Sequence, residues 1–470
     1  MVLGAGETLL SVSAPRPKKW SEEICMYKRK VLITAVFVCL AVSASNAANI
    51  IYVDVNSPNK PGIGTFGDPF RKIQDGINSA LTGDTVLIRP GIYSGPGNYN
   101  LDPVGKAITI SSTNPEDAEI VANTVINPNK AGRGFYIYRS EDANCHISGL
   151  TIANAYTVGL GGGITCQNSS PTVSYCVIRS NSAAWYGGGI FCQDSNAIFY
   201  NCIVAGNSSL LNGGGIEIWS GQPTFKNSII YNNRSLYSDG GGLDSYDGAE
   251  VQIINCTMAA NSAVRGGAVF CVASSVVVVN SITWANVASS GTEFGLEPEI
   301  DRPGIVSINF SNISGGQIGV YDPSNGLDWS IGNINSDPCF ALFAPAGDPN
   351  LWDFHLQSAY GRWEPNEQNW VTDSNTSLCI DAGDPNSDWT GEPWPNGKRI
   401  NMGAYGGTAQ ASKNGNIADF DVNGKVDFAD FALFVEQWNQ ESGTIEDINR
   451  DGVVDVLDLD IFTDNWLWEK

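Results

Sequence analysis

Gly161-Gly162-Gly163-Ile164, Gly187-Gly188-Gly189-Ile190, Gly213-Gly214-Gly215-Ile216, Gly240-Gly241-Gly242-Leu243 and Gly266-Gly267-Ala268-Val269 are successive versions of one short phrase. Their first residues are 26, 26, 27 and 26 positions apart. A fixed period in the twenties marks a solenoid, whose repeats bury their apolar faces only by stacking on one another. The columns around the phrase agree. Five residues after each first glycine come Cys166, Cys192, Ile218, Ser245 and Cys271, and ten to twelve residues before it come Leu150, Cys176, Cys202, Ser228 and Cys256. These read as stacks of small or apolar side chains. Ile164 and Cys166 point inward and Thr165 outward, with the strand period of two.

Asparagine keeps the same beat at Asn181, Asn207, Asn233, Asn261 and Asn286. A coil that turns must leave no amide orphaned, and stacked Asn side chains hydrogen-bond from one turn to the next. A second column, Asn201, Asn227, Asn255 and Asn280, precedes the small-residue position and is broken by Tyr175. Asn, Gly and Cys are therefore structural here, and none of the stacked Cys is a metal ligand or nucleophile. These rungs resemble the right-handed, single-stranded parallel β-helix of pectate-lyase-like (pectin-lyase-fold) proteins, and the Gly-Gly-Gly-Ile phrase resembles bacterial polymorphic outer-membrane repeats. The fold class expected is mainly β, with the helix repeats over 49–340. Near its start, Ile73, Ile77, Ala80 and Leu81 lie at helical spacing with Gly83 closing the helix, a cap for the open end of the coil.

Composition fits an exported all-β chain. The 470 residues carry a net charge of −23 with two His and 52 Gly, and an acidic surface of that size repels nucleic acid. Eleven Cys, two of them (Cys25 and Cys39) ahead of the mature chain, leave an odd number, which does not read as a disulfide framework. Whether Cys339 and Cys379 pair stays open. Met26-Tyr27-Lys28-Arg29-Lys30, the apolar run Val31 to Val42 and Ser45-Asn46-Ala47 make a secretory signal peptide over 26–47, which leaves 1–25 as a mis-called N-terminal extension. The run is too short for a permanent membrane span. The protein is expected to be secreted or to sit at the cell surface.

Past Trp284 the period fades. Ser377-Leu378-Cys379-Ile380-Asp381-Ala382-Gly383-Asp384-Pro385 and Ile400-Asn401-Met402-Gly403-Ala404-Tyr405-Gly406-Gly407 resemble the closing segment of exported bacterial β-helix proteins, which implies that 341–410 finish the solenoid. Asp381 and Asp384 read as turn residues beside glycine.

Residues 415–470 carry a different pattern. Asp419, Asp421, Asn423, Gly424, Asp427 and Asp430 are matched 28 residues later by Asp447, Asn449, Asp451, Gly452, Asp455 and Asp458. Oxygen side chains at loop positions 1, 3, 5, 9 and 12, with Gly at 6, wrap a calcium ion, and the carbonyls of Lys425 and Val453 supply position 7. Two Ca2+ ions are expected. Apolar helices follow, Phe431 to Trp438 and Leu459 to Trp466, and position 12 is Asp where an EF-hand has Glu. The combination resembles a type I dockerin, a small α-helical EF-hand-like domain that docks secreted carbohydrate-active enzymes on cohesins. The resemblance implies a cohesin-like protein or cell-surface component as partner, met through Phe428, Ala429, Val456 and Leu457. These are apolar where many dockerins carry hydroxyl residues.

For chemistry on the coil, Glu217 and Asp244 each fall four residues past a tetrad's first glycine and so on adjacent rungs of one outward face, with Trp219 and Tyr246 two residues on. Gln167, Phe191 and Gln193 lie on earlier turns. Paired carboxylates suit acid and nucleophile roles in glycoside cleavage, and aromatic rings suit sugar binding; two like charges stacked on a solenoid are alternatively incidental or a cation site. A lyase base would come from Arg179, Lys226, Arg234 or Arg265, none of them in a recognised motif, and His146 and His355 are single. Two functions follow. One is a polysaccharide lyase or glycoside hydrolase carried by its docking module; the alternative is a non-catalytic, adhesin-like β-helix that binds glycan or a protein partner.

Overall fold

The computed structural model describes residues 48–297, 302–421, 423–440, 445–449 and 453–469. The expected extension 1–25, the expected signal peptide 26–47 and Asp451 and Gly452 of the second expected calcium loop lie outside them.

The chain winds as a parallel β-helix. Among the described residues, an eleven-stranded sheet runs from Ile50–Val53 to Leu327–Trp329, a nine-stranded sheet from Gly91–Tyr93 to Asn312–Ile313 and an eight-stranded sheet from Phe135–Ile137 to Val320–Tyr321, with a four-stranded strip of two-residue strands from Tyr156–Thr157 to Arg234–Ser235. In each of these four sheets every strand pairs in parallel with the one a full turn later, so register repeats the sequence period: Ile164 pairs with Ile190, Ile190 with Ile216 and Ile216 with Leu243. The inward positions form one continuous core that contains Cys166, Cys192, Ile218 and Cys271 of one column and Leu150, Cys176, Cys202 and Cys256 of the other. All nine described Cys are free thiols, Cys339 and Cys379 included. Burial pushes the thiols of Cys176 and Cys256 up to about 12, which keeps them inert.

The asparagine ladder forms as expected and is fully bonded. Each side-chain amide donates to the carboxamide oxygen of the next Asn at 2.9–3.1 Å. Each also donates to a main-chain carbonyl of the preceding rung, Ile152, Ile178, Val204 and Ile230 in turn. The ladder ends on a carboxylate: Asn286 donates its side-chain amide to Glu293 at 2.6 Å and its backbone amide at 3.3 Å. The second Asn column has another cause. Tyr175, Asn201, Asn227, Asn255 and Asn280 all have φ between 49° and 52°, a left-handed turn that Asn tolerates better than most residues.

Helix α1, Ile73–Ser79, covers the first rung with Ile73 and Ile77 buried against the strands Ile50–Val53 and Thr85–Ile88. It stops earlier than its sequence signals, because Ala80 already takes extended backbone, and Leu81 is exposed. A second short helix, α2 (Ala118–Asn123), is capped by the Asp117 side chain.

Residues 340–412, the segment expected to close the solenoid, pack along the flank of the coil. Phe340, Phe354, Leu356, Cys379, Ile380 and Met402 share a separate core with Ile229, Ala259 and Ile282 of the nine-stranded sheet. The left-handed Asn column serves as the attachment line. Asn227 donates to the carbonyls of Ala404 and Gly406, Asn255 to that of Asn401, and Asn280 to the Ser387 hydroxyl while accepting from the amide of Asp384. Asp384 closes a turn onto Asn386, and Asp381 accepts from the Gly397 amide and the Asn414 side chain, so both serve the backbone.

The C-terminal module has its own core of Phe420, Val426, Phe434, Ile448, Val454 and Phe462. Its helices α3 (Phe428–Glu436) and α4 (Val456–Asp464) begin three residues before the sequence estimate. Asp427 and Asp455, at loop position 9, act as N-caps, each in a reciprocal capping box with the Asp at position 12.

Candidate functional site: a covered acid pair and two acidic loops

In the eight-stranded sheet the second residue of each strand falls in one outward column, Tyr136, Thr165, Phe191, Glu217, Asp244, Phe270, Gly295, Tyr321. Glu217 and Asp244 are direct register partners, as expected. The expectation that they face solvent is corrected: each is 1% exposed. The glycine turn ahead of each strand folds back over the outward side chain. Gly213 has φ 65°, and a Cβ there would stand 2.7 Å from Oε2 of Glu217; a Cβ on Gly240, also at φ 65°, would stand 2.6 Å from the Asp244 Cβ. Glycine is needed twice over, for the turn and for the close approach. The same lid covers Thr165, Phe191 and Phe270.

The pair sits between the buried rings of Phe191 and Phe270 one rung to either side. Trp219 donates its indole N–H to Oε1 of Glu217 at 2.5 Å. Oε2 of Glu217 and both carboxylate oxygens of Asp244 make no hydrogen bond of ordinary geometry. Burial, then the neighbouring Asp244 charge, hold the Glu217 carboxyl well above the usual range, and burial raises Asp244 to about 7 against the pull of the Asn212 side chain and the Ser245 amide. The nearest cation is engaged elsewhere: Arg265 clasps Asp239 through two nitrogens, at 2.9 and 2.7 Å, meets Glu297 at 2.5 Å and lies over the Phe270 ring.

Trp219 and Tyr246 are half-buried and meet edge to face, 6.5 Å between centroids, with Trp219 also against Tyr186 and Phe191. They do not lie side by side as a flat platform. Gln193 continues the same column and accepts from Gln167 at 3.0 Å. Arg179, Lys226 and Arg234 are exposed, as is His146. His355 is buried, stacked on Tyr405 at 3.6 Å and bonded to Asp353. A polar cleft of about 580 Å³, lined by Asn232, Arg234, Ser235, Ser262 and Ser289 among others, crosses successive rungs beside the two-residue strands. Neither this cleft nor Asp239 and Glu293 stands out in the sequence: Asp239 holds the place that Asn212 has one rung earlier and Glu293 the place of Ala268, so neither acid recurs along its column.

The acidic loops are built for convergence. Ligand oxygens of Asp419, Asp421 and Asp430 lie within 4.8 Å of one another. Asp419 accepts from the amides of Asn423 and Gly424, and Asp430 from those of Asp421 and Asp427, which folds the loop around its acids. The second loop repeats the pattern, with Asp458 accepting from the amides of Asn449 and Asp455. The two halves also brace each other reciprocally. Val426 accepts from Leu467 and donates to Trp468, and Val454, 28 residues on, accepts from Asn439 and donates to Gln440. Burial raises the Asp419 carboxyl, and the Asp430 and Asp421 charges add to the shift. Crowded carboxylates with inward-turned amides are the donor set that a hard cation with oxygen preference requires, so the residues present fit calcium. On the outer side of the same module Phe428 is 77% exposed, Val456 63% and Leu457 56%, with Ala429 also exposed.

The family described as a right handed beta helix region matches residues 105–233. No curated protein sequence matches the chain. Among solved structures, pectate lyase Pel9A is similar at 14% identity and a TM-score of 0.42, covering 79% of this chain and 98% of its own. A rhamnogalacturonan lyase is similar at 13% identity and a TM-score of 0.28, over 70% of this chain and 97% of its own. Alginate lyase AlyGC, in mutant form, is similar at 11% identity and a TM-score of 0.31, over 65% of this chain and 56% of its own. Among the described residues no helix is long and apolar enough to cross a membrane.

Proposed function

We propose that this chain is an exported protein in which a right-handed β-helix holds a polysaccharide and a calcium-dependent, dockerin-like module fixes it to a cohesin-like protein or another cell-surface component. The observation that carries this reading is the reciprocal pair of acidic loops, each ending in a capped helix with the same hydrogen bonds at the same positions. Asp419, Asp421, Asn423, Asp427 and Asp430 with the Lys425 carbonyl would hold one Ca2+, and Asp447, Asn449, Asp451, Asp455 and Asp458 with the Val453 carbonyl the other. Calcium supplies positive charge that joins carboxylates which otherwise repel, and with it much of the folding free energy of so small a unit. The exposed apolar residues Phe428, Ala429, Val456 and Leu457 are then the ones through which the module docks.

Holding is favoured over cutting by the burial of Glu217 and Asp244, since a chain of sugars has no access to either carboxylate. The polar cleft around Arg234 offers hydroxyls, amides and one guanidinium at the surface, chemistry suited to an acidic glycan. The test uses the mature chain. Calorimetric titration with calcium is expected to lose two sites in Asp430→Ala/Asp458→Ala, with docking to cohesins or cell envelopes lost in step. A panel of plant and algal polysaccharides is expected to retain the protein on immobilised glycan and to yield neither reducing ends nor unsaturated uronates. Unchanged calcium stoichiometry in the double variant would overturn the docking reading, and product formation abolished by Glu217→Gln would overturn the holding one.

A further inference from the structure

The acid pair inside the coil asks for a partner independently of what the C-terminal module does. Every other described member of its column is uncharged: Tyr136, Thr165, Phe191, Phe270, Gly295 and Tyr321. Two carboxyl groups in that position, under a glycine lid and between two phenyl rings, would when ionised place two negative charges where water does not reach. Buried charges persist only when paired or when they coordinate a cation. The obvious pairing is absent, because Arg265 is spent on Asp239 and Glu297. Three buried oxygens, Oε2 of Glu217 and both of Asp244, make no hydrogen bond of ordinary geometry, with only the Asn212 side chain, the Ser245 amide and the facing carboxyl close by. A single proton shared between the carboxyls would join two of them and leave the third without a bond of ordinary geometry.

We infer that the covered space between Glu217 and Asp244 is a site for one calcium ion built into the coil, with the two carboxylates as its anionic ligands. The charge balances, two against two. These three oxygens are the hard donors that calcium prefers, and its loose coordination geometry accepts carbonyls of the glycine turns or enclosed water for the rest. The fourth carboxylate oxygen, Oε1 of Glu217, is fixed by the Trp219 indole, which orients the side chain as an outer partner orients a metal ligand. The ion joins two adjacent rungs, so it acts as an internal rivet, and the burial of the pair makes it slow to exchange.

The experiment counts calcium per chain by mass spectrometry after refolding the full chain in calcium and passing it through metal-free buffer. In Asp430→Ala/Asp458→Ala, which disables the two loops, one calcium per chain is expected to remain. Adding Glu217→Gln/Asp244→Asn is expected to bring the count to zero. As a second readout, terbium bound to the loop-disabled chain should emit on excitation of tryptophan, and Trp219→Phe should cut that emission several-fold while the metal count stays at one. No retained metal in a loop-disabled chain whose β-sheet circular dichroism is intact overturns the inference. So does a count that stays at one after the acid pair is neutralised. A parent chain that binds one calcium and keeps it in the loop-disabled variant would sink the docking reading while leaving this one standing.

Discussion

Glu293 closes the asparagine ladder where its period runs out. It is buried, and burial raises its carboxyl from the ordinary 4.5 to about 8, even though Asn286 donates to it twice. The folded state therefore holds this proton more tightly than the unfolded chain does. Its contribution is fully present below pH about 4.5 and is lost as pH rises through about 8. Glu293→Gln removes that titration, so the variant should gain on the parent by a few kcal/mol between pH 5 and 8. Urea midpoints at the two pH values check this, and a parent-to-variant difference that does not change with pH contradicts it. At this scale much was legible in advance. The Asn ladder follows from identical residues at a fixed period, and the inert stacked thiols follow from the same logic. Glu293 was not legible, because a residue that ends a period does not share it. The burial of Glu217 and Asp244 was hidden for a related reason: alternation shows which way a side chain points, while the turn that roofs it over comes from elsewhere in the rung.

The glycine tetrads are the elements that permit stacking, and at their second glycine the obstacle is the backbone of the neighbouring rung. A Cβ on Gly188 would meet the carbonyl oxygens of Gly214 and Ser208 at 2.4 Å, and both are backbone atoms of the coil that cannot swing aside. Gly188→Ala is expected to cost about 3 kcal/mol or more, measured by urea unfolding. Gly67→Ala, where nothing lies within 4 Å, should change little by the same measurement. Equal effects at the two positions would refute the steric account. Helix ends were the elements least legible in the sequence. Apolar spacing located α3 and α4, but it could not tell that the Asp at loop position 9 already serves as N-cap. At α1 the glycine stop signal lies beyond the true end, because the chain turns into extended backbone at Ala80.

Over the whole molecule, the regular coil was readable from one dimension because each rung touches the next at a constant sequence distance. The flank segment was not. Its anchors join residues more than a hundred positions apart, as in Asn227 to Gly406 or Asn280 to Asp384, and no period announces them. The in-register pairing of successive rungs has one more consequence, which concerns size. Because Gly161, Gly187 and Gly213 occupy equivalent places, length is quantised: the molecule can grow or shrink only by complete turns, each worth about 4.8 Å along the axis. Excising residues 162–187 joins Gly161 to Gly188 and brings Asn207 beneath the Ala155 amide that Asn181 now serves. That shortened chain should fold, and small-angle scattering should find it one step shorter. Removing 13 residues should instead turn inward side chains out and give no cooperative unfolding transition. Descendants of such a gene would thus differ in reach by whole steps, a digital dimension in an otherwise continuous surface.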